Sequence, residues 1–231
     1  MVSAVYPDPP PIATDGVIGV DVGRTDIAVT SDGDTFSGRQ VTAVRDRYAR
    51  TRGMIQHNVS KGTRSSRRRG RQTLARLSGR EHRFQAQVNH TISRRIVNRA
   101  VASGRAIALE DLTGIRERTK TQARGKAERR RSNAWAFYQL RFFLAYKCQA
   151  AGVPFVLVNP AYTSQMCHCC LHIGERSGKR FRCPDCGWSG DADLNGARNI
   201  ALLGCSLNAP HGPWLCCSYQ PGRRALEIPC L

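Results

Sequence analysis

Four cysteines constrain this chain more tightly than anything else in it. Cys167 and Cys170 form one Cys-x-x-Cys pair and Cys183 and Cys186 a second, with twelve residues between the pairs. Two such knuckles bring four thiolates around a single tetrahedral Zn²⁺. Backbone N–H groups in each knuckle point at sulfur, and Gly187 supplies the turn after the second pair. The spacing therefore predicts one structural zinc in a ribbon over residues 163–190. His168, Cys169 and His172 are competing donors in that segment. The ten cysteines of the chain could also form disulfides in a secreted protein. The N-terminal stretch MVSAVYPDPPPIATDG, however, has no basic region followed by an apolar one, so no secretory signal is expected and metal binding is the better reading. Cys148 falls on a helical pattern and is expected in the core. Cys205, Cys216, Cys217 and Cys230 have no usable spacing.

Ahead of the ribbon the hydrophobic pattern reads as an α/β domain. Residues 1–15, with prolines at 7, 9, 10 and 11, are expected as a disordered lead-in. Three strands follow at 16–23, 25–31 and 34–38, with Asp32-Gly33 as a two-residue hairpin signal between the last two. A basic helical insertion is expected at about 40–104. Its clearest part has apolar residues at 84, 88, 92 and 96 and ends near Ser103-Gly104. Residues 106–110, AIALE, read as the fourth strand, and 113–132 as a mobile basic loop. Asn133 can cap an aromatic-rich helix over 134–151, with Gly152 past its end and Pro154 forbidding continuation. Residues 154–158 read as the fifth strand and 194–203 as a short closing helix. The tail, 205–231, is expected to be irregular.

Three acids occupy unusual positions in this pattern. Asp21 lies in a buried strand, Glu110 follows the apolar run AIAL, and Asp193 precedes the closing helix, sharing its inner face with positions 197 and 200. An acid at the end of an apolar strand must be paired, protonated or bound to metal, because burying an isolated charge is costly. Three of them converging would make a hard, oxygen-rich site for Mg²⁺ or Mn²⁺. Two ions about 3.5–4 Å apart can activate water and stabilise the leaving oxygen in phosphodiester cleavage. Gly19 and Gly23 would let a phosphate backbone approach the strand. Any one such acid alone is more often a cap or a solvated group. Asp111 and Asp191 are alternative ligands, and Asp26, Asp32 and Asp34 fit ordinary turn chemistry.

Charge points to the partner. Lys and Arg number 36 against 17 Asp and Glu, a formal net charge of +19. A surface so basic attracts polyanions, and nucleic acid is the default. The runs containing Arg64, Arg67, Arg68, Arg69 and Arg71, and Arg124, Lys126, Arg129, Arg130 and Arg131, are the candidate phosphate contacts. Taken in isolation, such runs are usually solvated faces. The apolar share of 41% is enough for a normal core, which argues against global disorder. The longest clean apolar run, Val153 to Val158, is far too short for a membrane span.

Four segments in order, GVDVGRTDIAVTSDG, ALEDLTG, TSQMCHCC with FRCPDCG, and DADLNGARNIA, resemble the RuvC-like nuclease and zinc-ribbon portions of TnpB. TnpB is the OrfB-type protein of insertion sequences in bacteria and archaea and is related to type V CRISPR effectors. The resemblance runs from about Gly16 to Gly204. It implies an RNase H-like (RuvC-like) mixed sheet flanked by helices, with an inserted zinc ribbon. It assigns Asp21, Glu110 and Asp193 as the catalytic acids, favouring Asp193 over Asp191, and implies zinc at the four cysteines. It further implies a metal-dependent, RNA-guided DNA endonuclease of the kind historically named a transposase, acting in the cytoplasm of a prokaryote on DNA with a guide RNA. The chain departs from the family at Leu171, where Gly is usual after the first pair. It also has only twenty residues before Asp21, where relatives carry a recognition lobe. The chain is therefore expected to lack that lobe and to depend on a full-length relative for the missing surface. Two alternatives remain: a catalytically silent zinc-ribbon remnant that binds nucleic acid, and a basic RNA-associated scaffold.

Overall fold

Residue parity along the first strand decides how the molecule is built. In a strand, alternate side chains face opposite sides of the sheet. The computed structural model describes residues 9–23, 25–113 and 137–208. In it β1 (Val17–Asp21) pairs antiparallel with β2 (Asp26–Thr30) and parallel with β4 (Ala106–Glu110). β2 continues to β3 (Thr35–Ser37), and β4 to β5 (Phe155–Val158) in parallel. The order β3-β2-β1-β4-β5 makes a five-stranded mixed sheet. Ile18 and Val20 of β1, with Ile107 and Leu109 of β4, bury one face. The other face is shallow: Val17, Ala106 and Ala108 meet Val158, Ile200 and Cys205.

Each face takes the helices its side chains allow. The deep face receives α2 (Arg64–Ser103) and α3 (Phe137–Ala150), through Ile92, Ile96, Ala100, Leu140 and Leu144. Cys148 is buried there as expected. The shallow face receives α4 (Ala192–Asn208). A Cβ added at Gly19 would overlap the carbonyl oxygen of Ala197 and the amide of Ala201, and one at Gly204 would strike Ala108 and Val17. At Gly19 helix and sheet thus touch backbone to backbone, whereas Gly204 seats the helix on small side chains of the sheet. Gly19 serves this contact and not the approach of a phosphate. Gly23 is likewise enclosed, since a Cβ there would lie 2.9 Å from the Asp26 carbonyl oxygen.

Several expectations change. The closing helix is longer at both ends than 194–203. Asp193 therefore lies within its first turn and Gly204 within its body, where glycine is needed for the close packing rather than for a stop. The insertion consists of two helices, α1 (Arg39–Ser60) and the 40-residue α2, the latter about 60 Å long. Thr63 caps α2 by accepting from the Ser66 amide, and left-handed Gly104 closes it. Only the second half of α2, from Phe84 on, reaches the core. Val41 is the one buried residue of α1, so the first 50 residues of the insertion carry almost no apolar stripe to read. Residues 9–15 are not a loose lead-in: the Ile12 amide donates to Gly152 at 2.8 Å and the Asp15 amide to Gly104 at 3.1 Å. The loop expected at 113–132 (from 114 on), the Asn133 cap and the tail from 209 on lie outside the described residues. Among those described, no helix is long and apolar enough to cross a membrane.

After β5 the chain forms a small sheet of β6 (Glu175–Ser177), β7 (Arg180–Arg182) and β8 (Ser189–Asp191), all antiparallel. β8 runs directly into α4.

The backbone contact at Gly19 generates a test. Gly19→Ala should destabilise the protein by roughly 3 kcal/mol or more, at the upper end for overpacking because backbone and not a side chain must yield. A urea midpoint within error of the parent would show that α4 does not sit where described.

Candidate carboxylate and cysteine sites

The sheet register brings two acids together. Val20 is paired with Leu109 in the parallel β1–β4 ladder, so Asp21 and Glu110 are the next pair, roughly 5 Å apart at the backbone. Both follow the parity of Gly19 and Ala108 and so face α4. Asp193 enters from the first turn of that helix. Gly196, one turn on, leaves room, since a Cβ there would sit 3.2 Å from Asp21 Oδ2. The electrostatics register the convergence. Burial, then the charges of Glu110 and Asp193, push the Asp21 carboxyl up to about 7 against the opposing pull of Arg176 and the Val22 amide. Burial also raises Glu110, partly offset by a hydrogen bond from the Thr163 hydroxyl and by Arg176.

The alternative acids are otherwise engaged. Asp191 Oδ1 accepts the amides of Asp193 and Leu194, both at 2.9 Å, which is the work of a helix N-cap. Asp111 accepts from Thr113 and from Arg141 at 2.7 Å, and those bonds hold its carboxyl below the usual range. Asp32 pairs with Arg105. Asp26 is not merely a turn residue, because it is buried and ion-paired with Lys179.

The small sheet supplies the counter-charge. Arg176 on β6 places a guanidinium nitrogen 2.8 Å from Asp193 Oδ1, and Lys179 lies 3.7 Å from Oδ2. Thr163, fully buried after β5, links its hydroxyl to Glu110. Asn199 Nδ2 donates to the carbonyls of Thr163 and Met166 at 2.8 and 2.6 Å, and Asn195 Nδ2 to Met166 at 2.7 Å. Sequence reading missed all five residues. The signal for the asparagines was available, since 195 and 199 are one turn apart on the face of α4 that carries other buried positions. Nothing in the sequence distinguished Arg176 from Arg180 and Arg182 of the same small sheet.

Cys167, Cys170, Cys183 and Cys186 come together, with all four sulfurs within 4.8 Å of one another. The Cys167–Cys186 and Cys170–Cys183 sulfurs are 3.6 and 3.4 Å apart. A tetrahedron with Zn–S near 2.3 Å requires about 3.8 Å, so this cluster fits one such ion. Burial pushes the Cys167 thiol up to about 11. At Cys183 burial acts the same way but is outweighed by hydrogen bonds from the Cys186 and Asp185 amides, leaving it lowered to about 7. Of the competing donors, His172 joins a second group with Cys170 and Asp185. His168 is turned to Asn195 at 3.0 Å and Arg198 at 2.9 Å. Leu171 has a left-handed backbone, φ 65°, matching Gly187 at 74° in the second knuckle.

Arg64, Arg67, Arg68, Arg69 and Arg71 are all exposed near the start of α2. Spacings of three and four residues put 64, 67, 68 and 71 on one face. Arg124, Lys126, Arg129, Arg130 and Arg131 lie outside the described residues.

Residues 137–200 match the family described as Cas12f1-like, TNB domain, and the chain is a homologue of TnpB-like and Cas12f1 proteins. It is 38% identical over 123 residues to the CRISPR-associated endodeoxyribonuclease Cas12f1 of Sulfoacidibacillus thermotolerans, covering 52% of this chain and 27% of that one. It is 34% identical over 128 residues to a TnpB-like protein of Methanocaldococcus jannaschii, covering 55% and 45%. The fold resembles Cas12f1 in a complex with single-guide RNA and target DNA, with a TM-score of 0.63 at 16% identity, covering 87% of this chain and 52% of that one. The chain thus spans less than half the length of the two relatives.

Two measurements probe these sites. The Asp21 carboxyl is raised by folding, so the folded state holds a proton that the unfolded state releases. The contribution of Asp21 to metal-free stability should therefore be fully present below about pH 4 and be lost as pH rises through about 7, by on the order of 2–4 kcal/mol, while the depressed Asp32 and Asp111 carboxyls act in the opposite direction. Asp21→Asn should flatten that slope in denaturant titrations between pH 4.5 and 8, and an unchanged slope would refute the burial argument. Leu171→Gly should leave stability within about 1 kcal/mol of the parent, since relief of the left-handed conformation is offset by the apolar area that Leu171, 37% exposed, has buried. A larger shift in thermal melts would contradict this.

Proposed function

We propose that the chain is the nuclease portion of a TnpB-type RNA-guided DNA endonuclease, with an RNase H-like (RuvC-like) core and an inserted zinc ribbon. The observation that carries this reading is the convergence of Asp21, Glu110 and Asp193 from β1, β4 and α4, with Glu110 and Asp193 both acting on the Asp21 proton. The donor set is hard and oxygen-only, suited to Mg²⁺ or Mn²⁺. Bound there, such ions supply the positive charge that activates water and steadies the leaving oxygen of a phosphodiester.

The protein's own groups prepare that chemistry. Thr163 holds the Glu110 carboxylate in one orientation, and Asp191 fixes the turn from which Asp193 projects. Arg176 occupies the site with its guanidinium on Asp193, so in this arrangement it balances part of the negative charge. The four cysteines hold one structural Zn²⁺ that orders the ribbon. The arginines at the start of α2, and by the same reading Arg124, Lys126 and Arg129–Arg131, hold phosphates of DNA and guide RNA. The relatives' names and the guide RNA and target DNA in the Cas12f1 complex support these partners.

The test is cleavage of labelled single-stranded DNA with Mg²⁺. Asp21→Ala, Glu110→Ala and Asp193→Ala should each reduce the rate by at least about 10³-fold with the fold retained. Asp191→Ala should cost about 1 kcal/mol of stability as a lost cap and keep activity. The opposite outcome at 191 and 193 would reassign the third acid. Metal analysis should return about one Zn per chain, lost in Cys183→Ser.

A further inference from the structure

Away from both sites, α3 has a second face that the core does not use. Leu140, Phe143, Leu144 and Cys148 are buried. On the opposite side Tyr138, Phe142 and Tyr146 stand in successive turns, 66%, 63% and 38% exposed. The rings of Phe142 and Tyr146 are 5.7 Å apart. Single exposed aromatics are ordinary, but three in register on one helix mark a binding surface.

The surroundings indicate the occupant. Neither α3 nor the adjoining half of α2, from His82 to Ser103, contains an acidic residue, while Arg94, Arg141 and Lys147 lie among them. The Lys147 ammonium is 5.9 Å from the Tyr146 ring centroid. The nearby carboxylate of Asp111 is held by Arg141. Three rings offer roughly a few hundred Å², below the roughly 800 Å² per partner of a stable protein interface. Flat π-faces between two helix segments that carry basic and no acidic residues fit unstacked nucleobases on a polyanionic backbone.

We propose that Tyr138, Phe142 and Tyr146 form a stacking platform for the bases of single-stranded nucleic acid, separate from the carboxylate cleft and from the arginine face of α2. This rests on the reading of the chain as a nucleic-acid enzyme. Stacking and phosphate contacts differ in one measurable respect: lost stacking lowers affinity at every salt concentration, whereas a lost phosphate contact also flattens the salt dependence.

The experiment compares binding of the whole chain to fluorescent oligo(dT) and to an abasic oligomer of equal length and charge. The parent should bind the dT strand more tightly. Phe142→Ala and Phe142→Leu should each weaken dT binding between about 5- and 100-fold, with an unchanged salt slope and unchanged binding to the abasic strand. Phe142→Trp should retain it. Because Phe142 is exposed, none of these should shift the thermal midpoint appreciably. Equal losses on both strands, a flattened salt slope, or no loss at all would overturn the platform while leaving the nuclease reading intact. A change in oligomeric state in the variants would also overturn it, by assigning the face to a second copy. Failure of the parent to bind either strand would remove the reading beneath it.

Discussion

The seat of α4 on β1 is the contact from which the rest of the structure follows. Where Gly19 faces Ala197 and Ala201, no side chain separates helix from sheet, and at Gly204 the helix rests directly on the side chains of Ala108 and Val17. That closeness brings the first turn of α4 to the carboxyl ends of β1 and β4, and with it Asp193 to Asp21 and Glu110. Burial at this contact disfavours the charged forms of Asp21 and Glu110. A site assembled this way is destabilised by its own charge and relies on what the protein brings against it. Arg176 and the Thr163 hydroxyl are those compensations.

The small sheet shares these anchors. It leaves the core just beyond Glu110, where Thr163 is tied to both Glu110 and Asn199, and returns through β8 into the helix bearing Asp193. Asn195 adds a further link, since its amide group bonds both Met166 and His168 beside the first knuckle. Each end of this cysteine-bearing segment is thus attached to an acid-bearing element. The order of its knuckles bears on where two of the three carboxylates lie.

The parts of the fold that were legible in the sequence are those in which one physical demand leaves a periodic trace. The strands bearing Asp21 and Glu110 could be read because their apolar runs end in an acid, and the cysteine pairs because tetrahedral ligation fixes their spacing. The long helices of the insertion were harder. Their first fifty residues pack mainly on each other, with Val59 seated over Gly70, and a hairpin of that kind needs very little apolar stripe. The purpose of Gly19 was misread for a related reason. A glycine in a strand signals close approach, but not whether a helix or a ligand approaches. Arg176 was invisible because its role depends on how the small sheet folds back, which no local pattern encodes.

The length of α2 has a consequence of scale. Arg67 and Ile96 belong to one uninterrupted helix, 29 residues apart, or about 44 Å along its axis. One end is clamped in the core of the sheet and the other carries the arginine face. A turn of B-form duplex is about 34 Å, so the arm outreaches a full turn. Under the proposed function, a polynucleotide gripped at the tip would be held off from the sheet at a fixed distance, as on a ruler whose zero is set by the packing of Ile92, Ile96 and Ala100.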